Sequence, residues 1–434
     1  MEKTDLSAFA SEKGIKYFLI NYTDLFGVQR AKMVPAAAVA GAQKNGAGFA
    51  GFASWLDMSP ADSDLIAMPD ADSVIQVPWR PELAWVASDL MMDGVPVRQG
   101  PRDVLRALTE HAAGLDIQIK TGVEPEFFLL TPQGDAVSDP TDTNIKPCYD
   151  QDAILRRYDV IAEICDHLLT LGWEPYQNDH EDANGQFEIN WKYDDALRTA
   201  DKHAFFKFLV KSVAQNHGYK ATFMPKPFAN LTGNGCHVHL SGWSLKSNAN
   251  LFLDQDDEDG LSGMAKQFLA GVLHHARAMS AFTNPTVNSY KRLAPGTTTS
   301  GATWAPNTVS WTGNNRTHMV RVPDAGRIEI RVADGVANPY LLQASMIAAG
   351  LSGIADKMTP PARSDFNMYT HKDSQIPVLP SSLTEALSAL EDDARFQTMI
   401  GDEMATAFLK LKHDEWAAYL QHYSVWEREN CIDL

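Results

Sequence analysis

Three short stretches of this 434-residue chain carry charged side chains at the spacing that turns them all to one face of a β-strand. Glu124-Pro125-Glu126 stands before the apolar run Phe127-Phe128-Leu129-Leu130, and residues i and i+2 of a strand project together. Two carboxylates held so close repel, and one is driven to protonate unless a cation neutralises the pair. The bland alternative is an exposed strand end with solvated glutamates. His237-Val238-His239 repeats the geometry behind the glycine-bearing turn Thr232-Gly233-Asn234-Gly235-Cys236, which favours a metal or phosphate site over two core histidines. Arg327-Ile328-Glu329-Ile330-Arg331 is the sharpest of the three. Ile328, Ile330 and Val332 point into a core, and plus, minus, plus line the other face. A salt-bridge ladder on a solvated face would give this pattern. So would a cavity wall whose arginines bind phosphate and whose glutamate binds metal.

Arg316 and Arg321, with Lys291 and Arg292 upstream, enlarge the basic cluster, and in an acidic chain that points to a polyanionic ligand. Glu181 and Glu188 flank Ala183-Asn184-Gly185-Gln186, a turn able to return both carboxylates to one place. Oxygen-rich donors with one imidazole suit Mg²⁺ or Mn²⁺ rather than zinc. Such cations beside arginines are the working parts of phosphoryl transfer. The chain has no Gly-x-x-x-x-Gly-Lys-Ser/Thr loop, so a P-loop fold is not expected.

The elements that must position these groups read as α+β with a largely antiparallel sheet. Tyr17–Asn21, Val74–Val77 and Trp85–Ala87 are expected strands of a small β-rich domain, residues 1–100, with Gly46–Ala53 and Ser59–Asp72 between them as loops. Pro101 opens a helix and a larger domain, residues 101–434. There the expected strands are Phe127–Leu130, His237–Leu240 and Ile328–Val332. The expected helices are Asp150–Leu171, Thr199–Gln215, Leu261–Ser280 and Pro339–Ile354.

Composition narrows the class further. The chain is 44% hydrophobic and 21% charged, with a formal net charge of −18. That charge disfavours nucleic acid and anionic membranes as partners. No apolar run has the roughly 18 to 20 residues a membrane span needs. The start of the chain, charged at Glu2, Lys3 and Asp5, has no apolar signal core. Four scattered cysteines without a Cys-x-x-Cys pair fit a reducing compartment. The expected location is the cytoplasm.

At these residues the chain resembles the glutamine synthetase family, over nearly its whole length. Lys226-Pro227-Phe228, Thr232 to His237 and Ser241 match the family's ATP-region signature. Gly122 to Phe128, Tyr290-Lys291-Arg292, Arg327 to Arg331, Asn338-Pro339-Tyr340-Leu341 and, in the small domain, Asp24, Gly27, Arg30 and Lys32 agree as well. The resemblance implies a β-grasp-like N-terminal domain, a larger catalytic domain, and sites shared between neighbours in stacked hexameric rings, usually a dodecamer. It implies one metal on Glu126, Glu181 and Glu188 and a second on Glu124, His237 and Glu329. His239 and Ser241 fall where the family contacts ATP, with Arg321 and Arg327. Gly233, Arg292, Arg316 and Arg331 fall where it holds L-glutamate, and Arg316, Arg321 and Arg327 where it handles the transferring phosphoryl group. The implied reaction joins an amine to glutamate through γ-glutamyl phosphate.

Two departures fall where the nitrogen is handled. The acid that ammonia-using members carry in the small domain is replaced at Ala50, and their flap glutamate, six residues after Arg292, is Thr298. Both changes remove negative charge. Ammonium needs carboxylates, whereas a methyl group gains roughly 1 to 3 kcal/mol from apolar contact. The expected substrate is therefore methylamine, as in the members that form γ-glutamylmethylamide, with Phe52, Trp55 and Trp304 as apolar walls beside Thr298. The alternative is ammonia, with Asp57, Asp62 or Asp64 taking over the lost role. A non-catalytic ring-forming relative ranks lower because all six implied ligands are present. A metal hydrolase leaves the arginine-bearing strand unexplained.

Overall fold

The computed structural model describes residues 4–293 and 296–433; Glu2 and Lys3 lie outside them. Two sheets organise the chain, each coloured by the alternation of its strands. The first holds β1 (Tyr17–Thr23), β2 (Gln29–Pro35), β3 (Ala47–Phe49), β4 (Leu65–Pro69), β5 (Ile75–Gln76), β6 (Leu83–Met92) and β7 (Val95–Pro96). Its order is β2-β1-β6-β4-β3, with β5 and β7 also on β6, and only β1 and β6 run parallel.

The second sheet holds β8 (Ile117–Leu130), β9 (Pro175–His180), β10 (Gln186–Trp191), β11 (Asp194–Asp195), β12 (Lys220–Thr222), β13 (Cys236–Ser244), β14 (Trp311–Thr312), β15 (Val320–Arg321) and β16 (Ile328–Ile330). Its order is β14-β15-β16-β13-β8-β10-β9, with β11 and β12 on β8. All its pairs are antiparallel except β14 with β15, so the α+β expectation holds.

Several expected elements differ in extent. The region Asp150–Leu171 is two helices, Gln151–Arg156 and Tyr158–Thr170, because Arg157 sits at φ −120° and ψ 16°. Its guanidinium reaches out to Ser138. Leu261–Ser280 is likewise split into Gly263–His274 and Ala276–Thr283 at His275, whose ring nitrogens are drawn aside to Asp393 Oδ2 at 2.6 Å and Ser352 Oγ at 3.1 Å. The expected loop Ser59–Asp72 contains strand β4, whose Leu65 and Ala67 face the core while it pairs with β6. The expected strand Val74–Val77 is only the two residues of β5, since Ala71–Ser73 forms a turn of 3₁₀ helix.

One side chain ties the first sheet to the helices beneath the second. Arg102, at the start of helix Pro101–Gly114 and 4% exposed, meets Asp70 at 2.7 Å, Asp89 at 2.5 Å and Asp201 at 2.9 Å. Asp70 follows β4, Asp89 lies on β6, and Asp201 lies on helix Ala196–Asn216, where it also accepts the Tyr340 hydroxyl at 2.7 Å. Replacing this cation would leave buried Asp201 without one and Asp70 and Asp89 sharing Arg106 alone, which meets them at 2.7 and 2.9 Å. Arg102→Ala is expected to cost about 3 to 5 kcal/mol, read as a lowered urea midpoint of the purified protein.

Candidate active site

The strand register assembles the charged residues into rows. Glu126 on β8 stands directly across from Glu188 on β10, and Glu188 across from Asp179 on β9. Two residues back along β8, Glu124 stands across from His237 on β13. A third row runs from His239 to Glu329 on β16 and on to Arg321 on β15. The i, i+2 pairs of the sequence thus meet across strands as well as along them. Glu181 enters from the turn between β9 and β10, where its N–H bonds the Gln186 carbonyl at 2.9 Å.

Three overlapping donor groups result, each with its atoms within 4.8 Å of one another: Glu124, His237 and Glu329; Glu126, Glu188 and His237; and Asp179, Glu181 and Glu188. The first is the second metal set of the sequence expectation. The expected trio Glu126, Glu181 and Glu188 is spread over the other two groups, joined through Glu188, with Asp179 added.

The two ends of the row are balanced differently. Burial would push Glu124 up, but hydrogen bonds from His237 and His239 (Nε2 at 2.9 Å) hold it well below the usual carboxylate range. Burial also opposes ionisation of Glu329, yet Arg331 and the two histidines bring it down to about 2. Arg321 Nη1 bonds one Glu329 oxygen at 2.7 Å and Arg331 takes the other. Glu181 and Glu188 have no such cation among the described residues. Burial, then Glu126 for the first and Glu181 for the second, pushes both well above the usual range. His237 Nε2 is buried with no hydrogen-bond partner among the described residues. Crowded oxygen donors that lack a counter-charge, beside a free imidazole nitrogen, fit divalent cations of the Mg²⁺ or Mn²⁺ kind.

Neutral groups aim the acids. Gln186 Nε2 donates to Glu126 at 2.9 Å and to the Gly233 carbonyl at 3.1 Å. The Gly235 N–H donates to Glu126 at 2.7 Å, and Asn190 to Glu188 at 2.9 Å. A Cβ on Gly233 would stand 2.2 Å from the Pro225 carbonyl oxygen, and one on Gly235 2.7 Å from Arg292, so the turn needs both glycines. Asp179, Gln186 and Asn190 escaped the sequence reading. For Asp179 the signal exists, since Asp179 and Glu181 repeat the spacing of Glu124 and Glu126.

The remaining expected residues divide. Arg292 is 4% exposed and donates to the Val332 carbonyl at 3.0 Å, close to Gly235. Arg327 pairs with Asp324 and, with His239 and Ser241, lines a cleft of about 760 Å³ that also holds Glu124, Tyr193 and Trp243. Lys120 lies over the Trp243 ring at 4.2 Å. Arg316 is exposed and makes no hydrogen bond or ion pair among the described residues. Thr298 is buried, its hydroxyl donating to the Ala302 carbonyl at 2.5 Å, while Trp304 is 37% exposed. Phe52 and Trp55 are about half exposed; Trp55 stacks on Phe26 at 4.8 Å. No hydrogen bond, ion pair or ring contact among the described residues joins Phe52, Trp55 or Asp64 to the carboxylate rows.

An acid row short of counter-charge, backed by guanidiniums and opening on a cleft, has the parts that an ATP-driven ligase needs. The chain belongs to the glutamine synthetase family: residues 98–431 match the family described as glutamine synthetase, catalytic domain. It is 60% identical over 432 residues to a glutamine synthetase of Rhizobium leguminosarum bv. phaseoli, covering 99% of each chain. It is 42% identical over 445 residues to a glutamate–methylamine ligase of Methyloversatilis universalis, covering 100% of each. A solved GmaS/ADP complex superposes with a TM-score of 0.96 at 57% identity, covering 99% of this chain and 100% of that one. The protein is thus an ATP-dependent ligase that joins an amine to glutamate. No helix among the described residues is long and apolar enough to cross a membrane.

Glu188 is shared by two of the three donor groups and is the acid most crowded by its neighbours. In chelator, Glu188→Gln is expected to melt higher than the parent by about 1 °C for each kcal/mol of repulsion relieved, the scale that a 434-residue chain sets. It is expected to lose most of the Tm gain that Mn²⁺ gives the parent. Differential scanning calorimetry with and without the ion checks both.

Proposed function

We propose that the chain uses ATP to activate the γ-carboxylate of L-glutamate and joins methylamine to it, giving γ-glutamylmethylamide. The observation that carries the amine is the missing negative charge where ammonia-using members place acids. Ala50 has none, and Thr298 is neutral, buried and committed to a backbone carbonyl. The glutamate–methylamine ligase among the relatives supports the reading. Ammonia is the second reading, supported by the higher identity to relatives described as glutamine synthetases.

In this reading ATP enters the cleft of about 760 Å³, its base toward Tyr193 and Trp243 and its phosphates toward His239, Ser241, Arg321 and Arg327. Glutamate is held by Arg292, Arg331 and Arg316 beside the Gly233 backbone. Divalent cations held by Glu126, Glu181 and Glu188, and by Glu124, His237 and Glu329, supply charge neutralisation for the phosphates. A γ-carboxylate oxygen of glutamate attacks the γ-phosphorus of ATP, and the bond to ADP breaks. Arg316, Arg321 and Arg327 stabilise the charge on the transferring group. The amine nitrogen then attacks the acyl carbon of γ-glutamyl phosphate, the carbon of the side-chain carboxyl group; the C–O bond to phosphate breaks, phosphate leaves, and the nitrogen loses a proton.

Residues 1–100 act as a β-grasp-like domain and residues 101–434 as the catalytic domain, in a cytoplasmic dodecamer of two hexameric rings. Half-exposed Phe52 and Trp55, unconnected to the acid row of their own chain, are what a loop serving a neighbour's site would present.

Two measurements test the proposal. ADP release with ATP, Mg²⁺ and glutamate, with product identified by mass, is expected to give kcat/KM for methylamine at least about tenfold above that for ammonia. A preference for ammonia makes the enzyme a glutamine synthetase. Glu329→Ala is expected to lower turnover with either amine by about 100-fold or more, because Arg321, Arg331 and His237 all lose their shared acid; near-parental turnover would sink the assignment.

A further inference from the structure

Lys412 stands on helix Asp402–Leu420, far along the chain from the small domain, and is 2% exposed. Its ion-pair partner among the described residues is Glu415 at 2.7 Å, on the same helix. An ammonium taken out of water loses its hydration, and one acid replaces only part of it. The rest of what this cation meets is aromatic. Its Nζ lies 4.0 Å from the centroid of the Phe26 ring and 5.7 Å from that of Phe408. Phe26 in turn stacks on Trp55, with centroids 4.8 Å apart and planes 17° from parallel.

Phe26 belongs to the turn between β1 and β2, and Trp55 to the loop that begins at Ala50 and carries Phe52. Further bonds tie this loop to the same turn and the same helix. The Leu25 N–H donates to the Trp55 carbonyl at 2.9 Å, and the Tyr22 hydroxyl to Ser54 Oγ at 3.0 Å. Fully buried Asp24 accepts the Phe26 and Val28 N–H groups at 3.1 and 3.0 Å and the Arg30 guanidinium at 2.8 Å, so the turn is itself fixed. Lys410, two residues before Lys412, pairs with Asp57. A buried lysine can serve packing alone. What sets this one apart is that the ring it grips carries a half-exposed indole of the loop, rather than another core side chain.

We propose that Lys412 is a positioning residue for the amine: through the Phe26 ring it holds Trp55, and with Trp55 the loop of Ala50 and Phe52, in the place where that loop meets methylamine. The inference rests on the reading above that this loop serves the amine, in its own site or a neighbour's. Attraction between a cation and a ring face strengthens as the pair is desolvated, and this pair is buried. Helix Asp402–Leu420 therefore sets the nitrogen specificity of a loop that lies some 350 positions earlier in the chain, without touching substrate.

Methylamine is titrated at saturating ATP, Mg²⁺ and glutamate, and ATP in turn at saturating amine. Lys412→Met keeps the apolar stem and removes the charge. It is expected to raise KM for methylamine about fivefold, with kcat within about twofold of the parent and KM for ATP unchanged. Lys412→Arg, a cation that also stacks on rings, is expected to restore KM. Trp55→Ala is expected to raise KM at least as much, and adding Lys412→Met to it to change nothing further, since the lysine acts through the indole. KM for ATP rising in step with KM for methylamine, or additive effects in the double variant, overturns the inference. So does a parental KM in Lys412→Met beside a raised one in Trp55→Ala. If Lys412→Met fails to fold, Phe26→Leu leaves Lys412 and Glu415 in place and carries the test: the same rise upholds the inference, and an unchanged KM overturns it. Parental KM in both Phe52→Ala and Trp55→Ala brings down the reading of the loop, and the inference with it. A parent that prefers ammonia brings down methylamine as the substrate, and KM for ammonia is then read in the same variants with the same outcomes.

Discussion

Like-charge repulsion on one sheet face is the constraint to which the rest of this molecule answers. Glu124, Glu126, Glu181, Glu188, Glu329 and Asp179 crowd together with few cations of their own. At low effective dielectric each close pair costs several kcal/mol unless something intervenes. The chain intervenes unevenly. Glu329 is clasped by two guanidiniums and Glu124 by two imidazoles, so this end is ionised and settled. Glu126 is aimed by a backbone N–H and an amide. Glu181 and Glu188 are left with burial and each other. The unsettled end is where a cation would gain most, because its arrival would relieve repulsion that the fold does not relieve itself.

Holding such a row demands rigidity, and the topology supplies it. β8 is long enough to pair with β13 along one stretch and with β10 along another, so a single strand sets the relative places of Glu124, Glu126, His237 and Glu188. The opposite faces of the same strands are core, with Val123, Phe127, Val238, Ile328 and Ile330 all buried. A side chain fixed by a packed strand is aimed better than one on a loop. Some of the groups proposed to meet substrate, by contrast, stand at edges and turns: Arg327 beside its loop, Arg316 exposed, and Thr298 on a segment held by side-chain hydrogen bonds.

What the sequence reveals and hides follows from the same division. Alternation along a strand is local, so Glu124 with Glu126, His237 with His239, and Glu329 between its arginines are all visible as spacing. Register between strands is not local. That Glu126 faces Glu188, or that Glu329 faces His239, depends on hydrogen-bond ladders between segments dozens of residues apart. Helix lengths were overread at Arg157 and His275 for a related reason: a hydrophobic stripe continues through both, while a tertiary hydrogen bond bends the backbone there. Asp182 shows the limit most clearly. In the sequence it is one more acid in His180-Glu181-Asp182; only the folded chain brings Ser300 to it, 118 positions away.

Overall identity weighs fold and chemistry together, and the amine meets only a small part of either. The relatives at 60% and 42% identity are named for joining two different amines to glutamate, tasks that ask the same of the fold and of the activation of the carboxyl group. Those shared demands occupy most of the positions that identity counts. Choosing between ammonium and methylammonium falls to a few groups where charge and apolar surface trade against each other, worth roughly 1 to 3 kcal/mol for a single methyl. In this chain the groups proposed to meet the amine are neutral: alanine at 50 and threonine at 298, the second hydrogen-bonded to a backbone carbonyl. A strongly hydrated small cation gains least from such surroundings, and a cation with a methyl group gains most, so the local chemistry argues for the alkylamine even where the larger identity lies with the other name.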